Sequence, residues 1–221
     1  MTDVAARKET IAFRLGHEAV KRALDIVLAS VLLLVASPLL LLLWCLVRLT
    51  SAGPALFRQE RVGRDFRLFT MLKFRSMYIS NDDRAHRAYV TGMLGAEDAA
   101  APNGELFKLV GDPRVTPLGA WLRRTSLDEL PQLVNVLHGE MSLVGPRPML
   151  PWEAELLAET YRPRFTVKPG MTGLWQVSGR SRLPMRAALE LDVEYARSPS
   201  VLADLGILAR TVPALFRGGA S

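Results

Sequence analysis

Asp128 and Glu129 are the residues of this 221-residue chain best suited to chemistry. An ionised aspartate can serve as a nucleophile or a metal ligand. A neighbouring glutamate can act as a general base or a second ligand. The pair follows Ser126, and Ser-x-x-Glu is also an ordinary helix-capping pattern that opens a helix. On the motif alone, capping carries more weight. The surrounding cations shift that balance. Arg123 and Arg124 lie just upstream, and Arg147 sits between Pro146 and Pro148, which restrict its backbone before folding. Lys73-Phe74-Arg75 closes a strand-like segment, while Lys168, Arg180 and Arg182 bracket glycine-rich turns. Guanidinium forks match phosphate oxygens. Magnesium typically takes one or two carboxylates plus substrate phosphates, and Asp128-Glu129 offers such a pair. These residues point to phosphoryl transfer, although most single arginines, taken alone, read as solvated charges. Trp121 and Trp175 read as core or interface anchors. Asp192 and Tyr195, spaced i and i+3, read as a helix-surface pair.

The element that would bring this chemistry to a lipid is the apolar run from Ile26 to Val47. About 20 apolar residues suffice to cross a bilayer. Both flanks are basic, with Lys21 and Arg22 before and Arg48, Arg58, Arg61, Arg64 and Arg67 after, so charge sets no direction of crossing. Ser37-Pro38 interrupts the run, and proline inside a helix removes a backbone hydrogen bond and favours a kink. The run reads either as a hairpin that returns to the same face or as one kinked span. Asp25, just inside it, reads as a buried acid with a basic partner or as a solvated headgroup-level residue. The run exceeds the roughly 7–15 residues of a signal-peptide core, which predicts a retained anchor.

Composition narrows the alternatives. The net charge of +6 points to anionic partners such as lipid headgroups or nucleotides. Cys45 is the sole cysteine, which excludes an intrachain disulfide and a thiolate metal cluster. His17, His86 and His138 have no zinc-ligand spacing. Basic and acidic residues alternate and no groove-reading motif occurs, so no nucleic-acid partner is expected.

The remaining elements follow from pattern. Alternation over 55–77 predicts two strands joined at Gly63. A helix is expected near 82–94, within an inserted or mobile stretch over 80–111. Two helical pieces cover 117–138, with Leu118, Trp121 and Leu122 on one face and Gly139 as the stop. A short helix is expected over 152–161 and a short strand at Leu174–Val177. Two amphipathic helices, 184–197 and 200–217, separate at Ser198-Pro199. Val201, Leu205, Leu208, Val212 and Leu215 form one face of the last, suited to the domain or to a membrane interface. The expected fold is α+β and mainly helical. A prefix spans 1–20, a membrane element 21–50 and a compact domain 51–221.

Several motifs in this order resemble the bacterial sugar transferase family, the monotopic polyprenyl-phosphate phosphoglycosyl transferases. They are Lys21-Arg22-x-x-Asp25, Ser37-Pro38, Lys73-Phe74-Arg75-Ser76-Met77, Arg123 to Gln132, Met141 to Pro148, and Lys168 to Arg180. The resemblance implies transfer of a sugar 1-phosphate from a nucleotide sugar, UDP-linked by expectation, to undecaprenyl phosphate. It implies Asp128 as the nucleophile and magnesium contact, Glu129 as partner acid, and Arg147 as a substrate-phosphate contact. Lys73, Arg75, Arg123 and Asp192 fall at further substrate-binding positions. It resolves the membrane element, 21–50, as a re-entrant hairpin turning at Ser37-Pro38, monotopic in the bacterial inner membrane and in contact with its lipids, and 51–221 as a cytoplasmic domain. A homodimer is left open. Larger relatives carry a multi-span N-terminal region that this sequence lacks. The rival reading is a non-catalytic membrane adaptor that binds anionic lipid.

Overall fold

The computed structural model describes residues 2–79, 84–95, 112–157, 159–179 and 183–217. Arg180, Arg182 and most of the 80–111 stretch lie outside the described residues. The protein is mainly helical, with two small sheets, as the patterning predicts.

The first helix, α1, runs from Thr2 to Thr50. Its helical hydrogen bonding continues through Ser37-Pro38, the position at which the sequence led us to expect a hairpin to turn. The reason is local. Pro38 cannot donate the bond that Leu34 O, four residues earlier, would accept in a helix. The Ser37 hydroxyl supplies it instead, donating to Leu34 O at 2.8 Å. A side-chain hydroxyl that re-satisfies a freed carbonyl lets an apolar helix carry a proline. Among the described residues, α1 is the one helix long and apolar enough to cross a membrane, over Gly16–Thr50. Its middle exposes Val31, Leu34, Val35, Leu41 and Leu42.

Both ends of that apolar run pack on the same domain. At the start, Lys21 donates to Val144 O (3.0 Å) and Arg22 to Val136 O and Leu137 O (2.5 and 2.7 Å). Asp25 is buried and accepts from Ser142 Oγ and Leu143 N, each at 3.0 Å. These partners are a hydroxyl and a backbone amide, not the cation or the water expected of an acid at a membrane edge. At the far end, Leu43 and Val47 pack with Ala55, Phe74 and Leu122.

Strands β1 (Leu56–Val62) and β2 (Leu68–Phe74) pair antiparallel across a turn that begins at Gly63. Helix α2 (Arg84–Gly95) falls where a helix was expected. Helix α3 spans Pro117–Thr125, with the Thr116 hydroxyl accepting from Gly119 N at its start. Helix α4 (Gln132–His138) ends at Gly139 in the left-handed region (φ 82°), which glycine adopts without strain. Asn135 of α4 uses its amide as a surrogate strand against β2. It accepts from Leu72 N (3.0 Å) and donates to Thr70 O (2.8 Å).

Strand β3 (Ser142–Val144) pairs parallel with β4 (Gly170–Thr172). The expected strand at 174–177 is instead helical, α6 (Leu174–Ser178). The extended segment comes earlier because Gly170–Thr172 is the part that reaches β3. Gly145 and Gly170 cross so closely that a Cβ on either would strike the other segment's backbone. The helix expected over 152–161 is shorter: α5 covers Pro151–Glu155, and Glu159–Thr166 winds as a 3-10 helix containing Pro163. Pro163 lacks the N–H that an α-helix would use there.

Helices α7 (Met185–Arg197) and α8 (Val201–Arg217) close the fold. On α8, buried Asp204 and Ile207 face the domain, while Leu202, Leu205 and Val212 face outward. Of the face left open between the domain and a membrane, Leu205 and Val212 point outward while Leu208 packs inward, which fixes how α8 docks. Asp204 decides it, because it accepts from Lys21 Nζ and Tyr195 Oη, both at 2.7 Å. Tyr195 is accordingly a buried anchor rather than a surface residue.

Candidate active site

The Asp128-Glu129 pair does not begin a capped helix. Ser126 takes a left-handed conformation (φ 58°) that ends α3, and its side chain makes no capping bond. Leu127–Glu129 then winds as one 3-10 turn before Pro131 and α4. Side chains three apart are eclipsed in a 3-10 turn. Leu127 packs with the cluster around Phe74 and Leu122, and Leu130 with the cluster around Met71 and Leu133. The two leucines pin the turn, and the acids between them project to another side. Asp128 is only 4% exposed.

Strand pleating delivers the first cation. Phe69, Met71 and Lys73 alternate onto one face of β2, and the first two are buried. Lys73 is the next step along that face, over the turn. Its Nζ meets Glu129 Oε1 at 2.8 Å, so the glutamate turns to Lys73 rather than back to Ser126. Arg147 Nη1 stands 3.9 Å from the same oxygen. Burial holds the Lys73 ammonium below its ordinary pKa. Glu129 and Asp128 oppose that shift, while Arg147 and Arg61 add to it. Desolvation therefore outweighs the ion pair. Asp128 and Glu129 act here on Lys73 beside Arg147 and Arg61, and Glu153 offsets Arg61, so the acid pair sits in a closely balanced set of charges of both signs.

Arg147 lies on the loop between β3 and α5. Beneath that loop are residues the sequence did not single out for the site. Arg61 donates to Pro148 O (3.1 Å) and lies 3.7 Å from Glu153 Oε2. Burial lowers its guanidinium pKa to about 10, with Glu153 opposing. Arg164 pairs with Asp192 Oδ2 at 2.5 Å, and both are 2% exposed. Burial raises the Asp192 carboxyl, and Arg164 and then Arg147 oppose the rise. Glu153 had a sequence signal, since Pro and Glu at the first and third helical positions mark a helix start. Arg61 and Arg164 had none, because their charges gave no sign of burial.

The structure brings Asp128, Glu129, Lys73 and Arg147 together, with Asp192 behind Arg147. Arg75 turns away. It is buried and donates to Ser51 O (2.8 Å), Val47 O (3.3 Å) and Ala52 O at the end of α1. Arg123 donates to Ser76 Oγ at 3.0 Å from the last turn of α3. Trp175 is a core residue, and Trp121 is partly exposed. A cavity of about 640 Å³ between α6, α7 and α8 is lined by residues such as Tyr161, Leu174, Glu190 and Arg210, and by none of the charged cluster. The charged cluster, rather than that cavity, is the candidate site.

Among the described residues, no three His, Cys, Asp or Glu side chains converge as a metal cage. One buried carboxylate beside a phosphate-sized set of cations nonetheless fits magnesium, which completes its shell with substrate oxygens.

Comparison with known proteins identifies the family. The family model for bacterial sugar transferases matches residues 16–218. The exopolysaccharide production protein ExoY of Rhizobium meliloti is 40% identical over 94% of this chain and 90% of its own length. The undecaprenyl-phosphate galactose phosphotransferase of Salmonella typhimurium is 41% identical over 89% of this chain. The UDP-glucose:undecaprenyl-phosphate glucose-1-phosphate transferase of Escherichia coli is 43% identical over 90% of it. The chain spans only 40% of the length of each of these last two. With the matching region covering the α1 anchor, the acid pair and the arginine loop alike, this chain belongs to the bacterial sugar transferase family.

Proposed function

We propose that the protein transfers a sugar 1-phosphate from a nucleotide sugar to undecaprenyl phosphate. The products are an undecaprenyl-diphosphate sugar and a nucleoside monophosphate. The donor is UDP-linked, as the name of the Escherichia coli relative states for that protein. The step is the first on the membrane in assembling a polysaccharide or glycoconjugate. The observation that carries this reading is a buried aspartate, Asp128, sharing its site with Lys73 and Arg147.

Asp128 attacks the β-phosphorus of the nucleotide sugar. The P–O bond to the nucleoside monophosphate breaks, and an aspartyl phosphosugar remains. Lys73 and Arg147 neutralise charge on the equatorial oxygens, where phosphoryl transfer most needs it. Glu129, held by Lys73, is placed to accept the proton of the incoming acceptor or to orient it. Magnesium, bound by Asp128 and phosphate oxygens, would add Lewis-acid stabilisation. The lipid phosphate then attacks the aspartyl phosphorus and restores the carboxylate. The sugar C–O bond is untouched throughout, so anomeric configuration persists.

The acceptor reaches the site because the membrane lies against it. Both flanks of the apolar part of α1 bond to one domain, at Lys21 and Arg22 and again near Val47. A span would place those flanks on opposite faces of a hydrocarbon core about 30 Å thick. One shared domain favours a helix that enters and returns, with Pro38 at mid-run and the catalytic domain on the cytoplasmic face of the bacterial inner membrane. The outward residues Leu202, Leu205 and Val212 of α8 extend this apolar face.

Radiolabelled nucleotide sugar, incubated without lipid acceptor, is expected to label the protein and release one equivalent of nucleoside monophosphate. The Asp128→Asn variant is expected to do neither. A labelled Asp128→Asn variant, or wild-type turnover that requires a ternary complex, would reject the covalent route in favour of direct attack by the lipid phosphate. Cysteines placed at Val20 and Ser51 are expected to react with an impermeant reagent from the same side of the membrane.

A further inference from the structure

The loop that presents Arg147 is gripped at every carbonyl from Pro146 to Met149. Gly170 N donates to Pro146 O (2.8 Å), Arg164 Nη2 to Arg147 O (2.8 Å), Arg61 Nη1 to Pro148 O (3.1 Å) and Val62 N to Met149 O (2.9 Å). Two of these four donors are backbone amides, as in any packed loop. The other two are buried guanidiniums, each of which costs several kcal/mol to desolvate unless an anion accompanies it. Each has one: Asp192 beside Arg164 and Glu153 beside Arg61. Glu153 also accepts from Leu150 N at 2.8 Å, where the loop enters α5. Buried ion pairs are poor sources of stability compared with apolar packing. Two of them converging on consecutive carbonyls of one loop call for another purpose.

We propose that Arg164–Asp192 and Arg61–Glu153 are positioning pairs that act through Arg147. They hold its backbone so that its guanidinium waits at the phosphate position beside Glu129. On this view Asp192 touches Arg164 and the loop, not the substrate. Arg147 requires such help because Pro146 and Pro148 carry no N–H, which leaves the loop short of donors for its own hydrogen bonds. Carbonyls gripped from outside replace them. A displacement of about 1 Å of a substrate-positioning group can cost about 10²-fold in rate.

The inference rests on the proposed phosphosugar transfer for its kinetic readout and is independent of it for its structural one. The test replaces the Arg164–Asp192 pair by apolar groups of similar size, Arg164→Met with Asp192→Leu, alone and in an Arg147→Ala background. A milder variant, Arg164→Lys, guards against misfolding. The apolar double variant is expected to fold with a moderately lower melting temperature, since replacing the ion pair itself is often neutral but here also leaves the Arg147 backbone without its partners. Its kcat/KM is expected to fall about 10- to 100-fold, as when outer-shell partners of a site are removed. In the Arg147→Ala background the same replacement is expected to cost less than about 2-fold, because residues acting as one unit are non-additive. Losses that multiply in that background would overturn the proposal and assign Asp192 a direct role.

Hydrogen exchange supplies the second arm, read on a peptide covering 145–149 in wild type and variants. Faster exchange there, with α4 unchanged, is expected in the double variant and, more weakly, in Arg164→Lys. Unchanged exchange in both folded variants would overturn the clamp. If wild type transfers no sugar phosphate at all, the functional reading fails while this exchange result still decides the positioning claim.

Discussion

Two charged regions of this protein look alike in sequence and behave differently in the fold. The root of α1 holds Lys21, Arg22 and Asp25. The site holds Lys73, Arg147, Asp128 and Glu129. At the root, Arg22 and Asp25 end on backbone groups or a hydroxyl, and Lys21 on a carbonyl and buried Asp204. At the site, Lys73 and Arg147 both face Glu129, one at 2.8 Å and the other at 3.9 Å. Donors committed to carbonyls fasten pieces of the fold, as Arg75, Arg61 and Arg164 also do. Cations that converge on one side chain leave a field into which an anion can enter.

Substitutions can break this contrast. The largest effect is expected from Asp128→Asn, with turnover reduced to less than a few per cent in a nucleoside monophosphate release assay; retained turnover would remove Asp128 as nucleophile. Arg147→Ala is next, at about 10²- to 10³-fold in kcat, the scale for losing one charge-stabilising donor. At the root, Asp25→Ala leaves buried Ser142 and Leu143 N–H without their acceptor. That should cost about 1–3 kcal/mol, seen as a lower melting temperature in detergent with near-normal activity per folded molecule. If Asp25→Ala instead abolished catalysis at unchanged stability, the division between fastening and reacting charges would be wrong.

Protonation sharpens the same contrast. Lys73 loses its proton below its ordinary pKa of 10.5, because burial lowers it. As pH rises through that lowered value the site loses a cation, so the alkaline limb of kcat/KM should fall before pH 10.5 and move upward in Lys73→Arg. The smallest effect is expected at Asp112, whose carboxyl is held below 3.8 chiefly by the Arg114 side-chain hydrogen bond. A depressed acid stabilises the fold at pH above its unfolded value, and that contribution is lost as pH falls through the folded one. Asp112→Asn should thus lower the melting temperature slightly at pH 5, by a cost of about 1 kcal/mol or less, and by progressively less as the pH falls below 3.8.

The legible parts of the fold were those carried by local pattern. The β1–β2 alternation, the stop at Gly139 and the α7–α8 pair all appear where periodicity and punctuation place them. Ser126-x-x-Glu129 misled because the same spacing serves a cap or a 3-10 turn, and Lys73, distant in sequence, competes for the glutamate. Leu174–Val177 misled because its neighbour Gly170–Thr172 meets β3 first. The α8 face stayed open between domain and membrane because hydrophobicity alone does not reveal that Asp204 has buried partners. Arg61 and Arg164 could not be assigned from sequence, since a buried charge looks like a surface one until its partner is known.

The amino-acid sequence by itself determined the acid pair, the proline-flanked arginine, the apolar anchor and the family they belong to, because each is a matter of residue type and spacing along the chain. Only the tertiary structure decided which cations serve the acids and which serve the backbone. That outcome depends on strand pleat and loop crossings that bring residues many positions apart within about 3 Å, the range at which a donor must choose one acceptor.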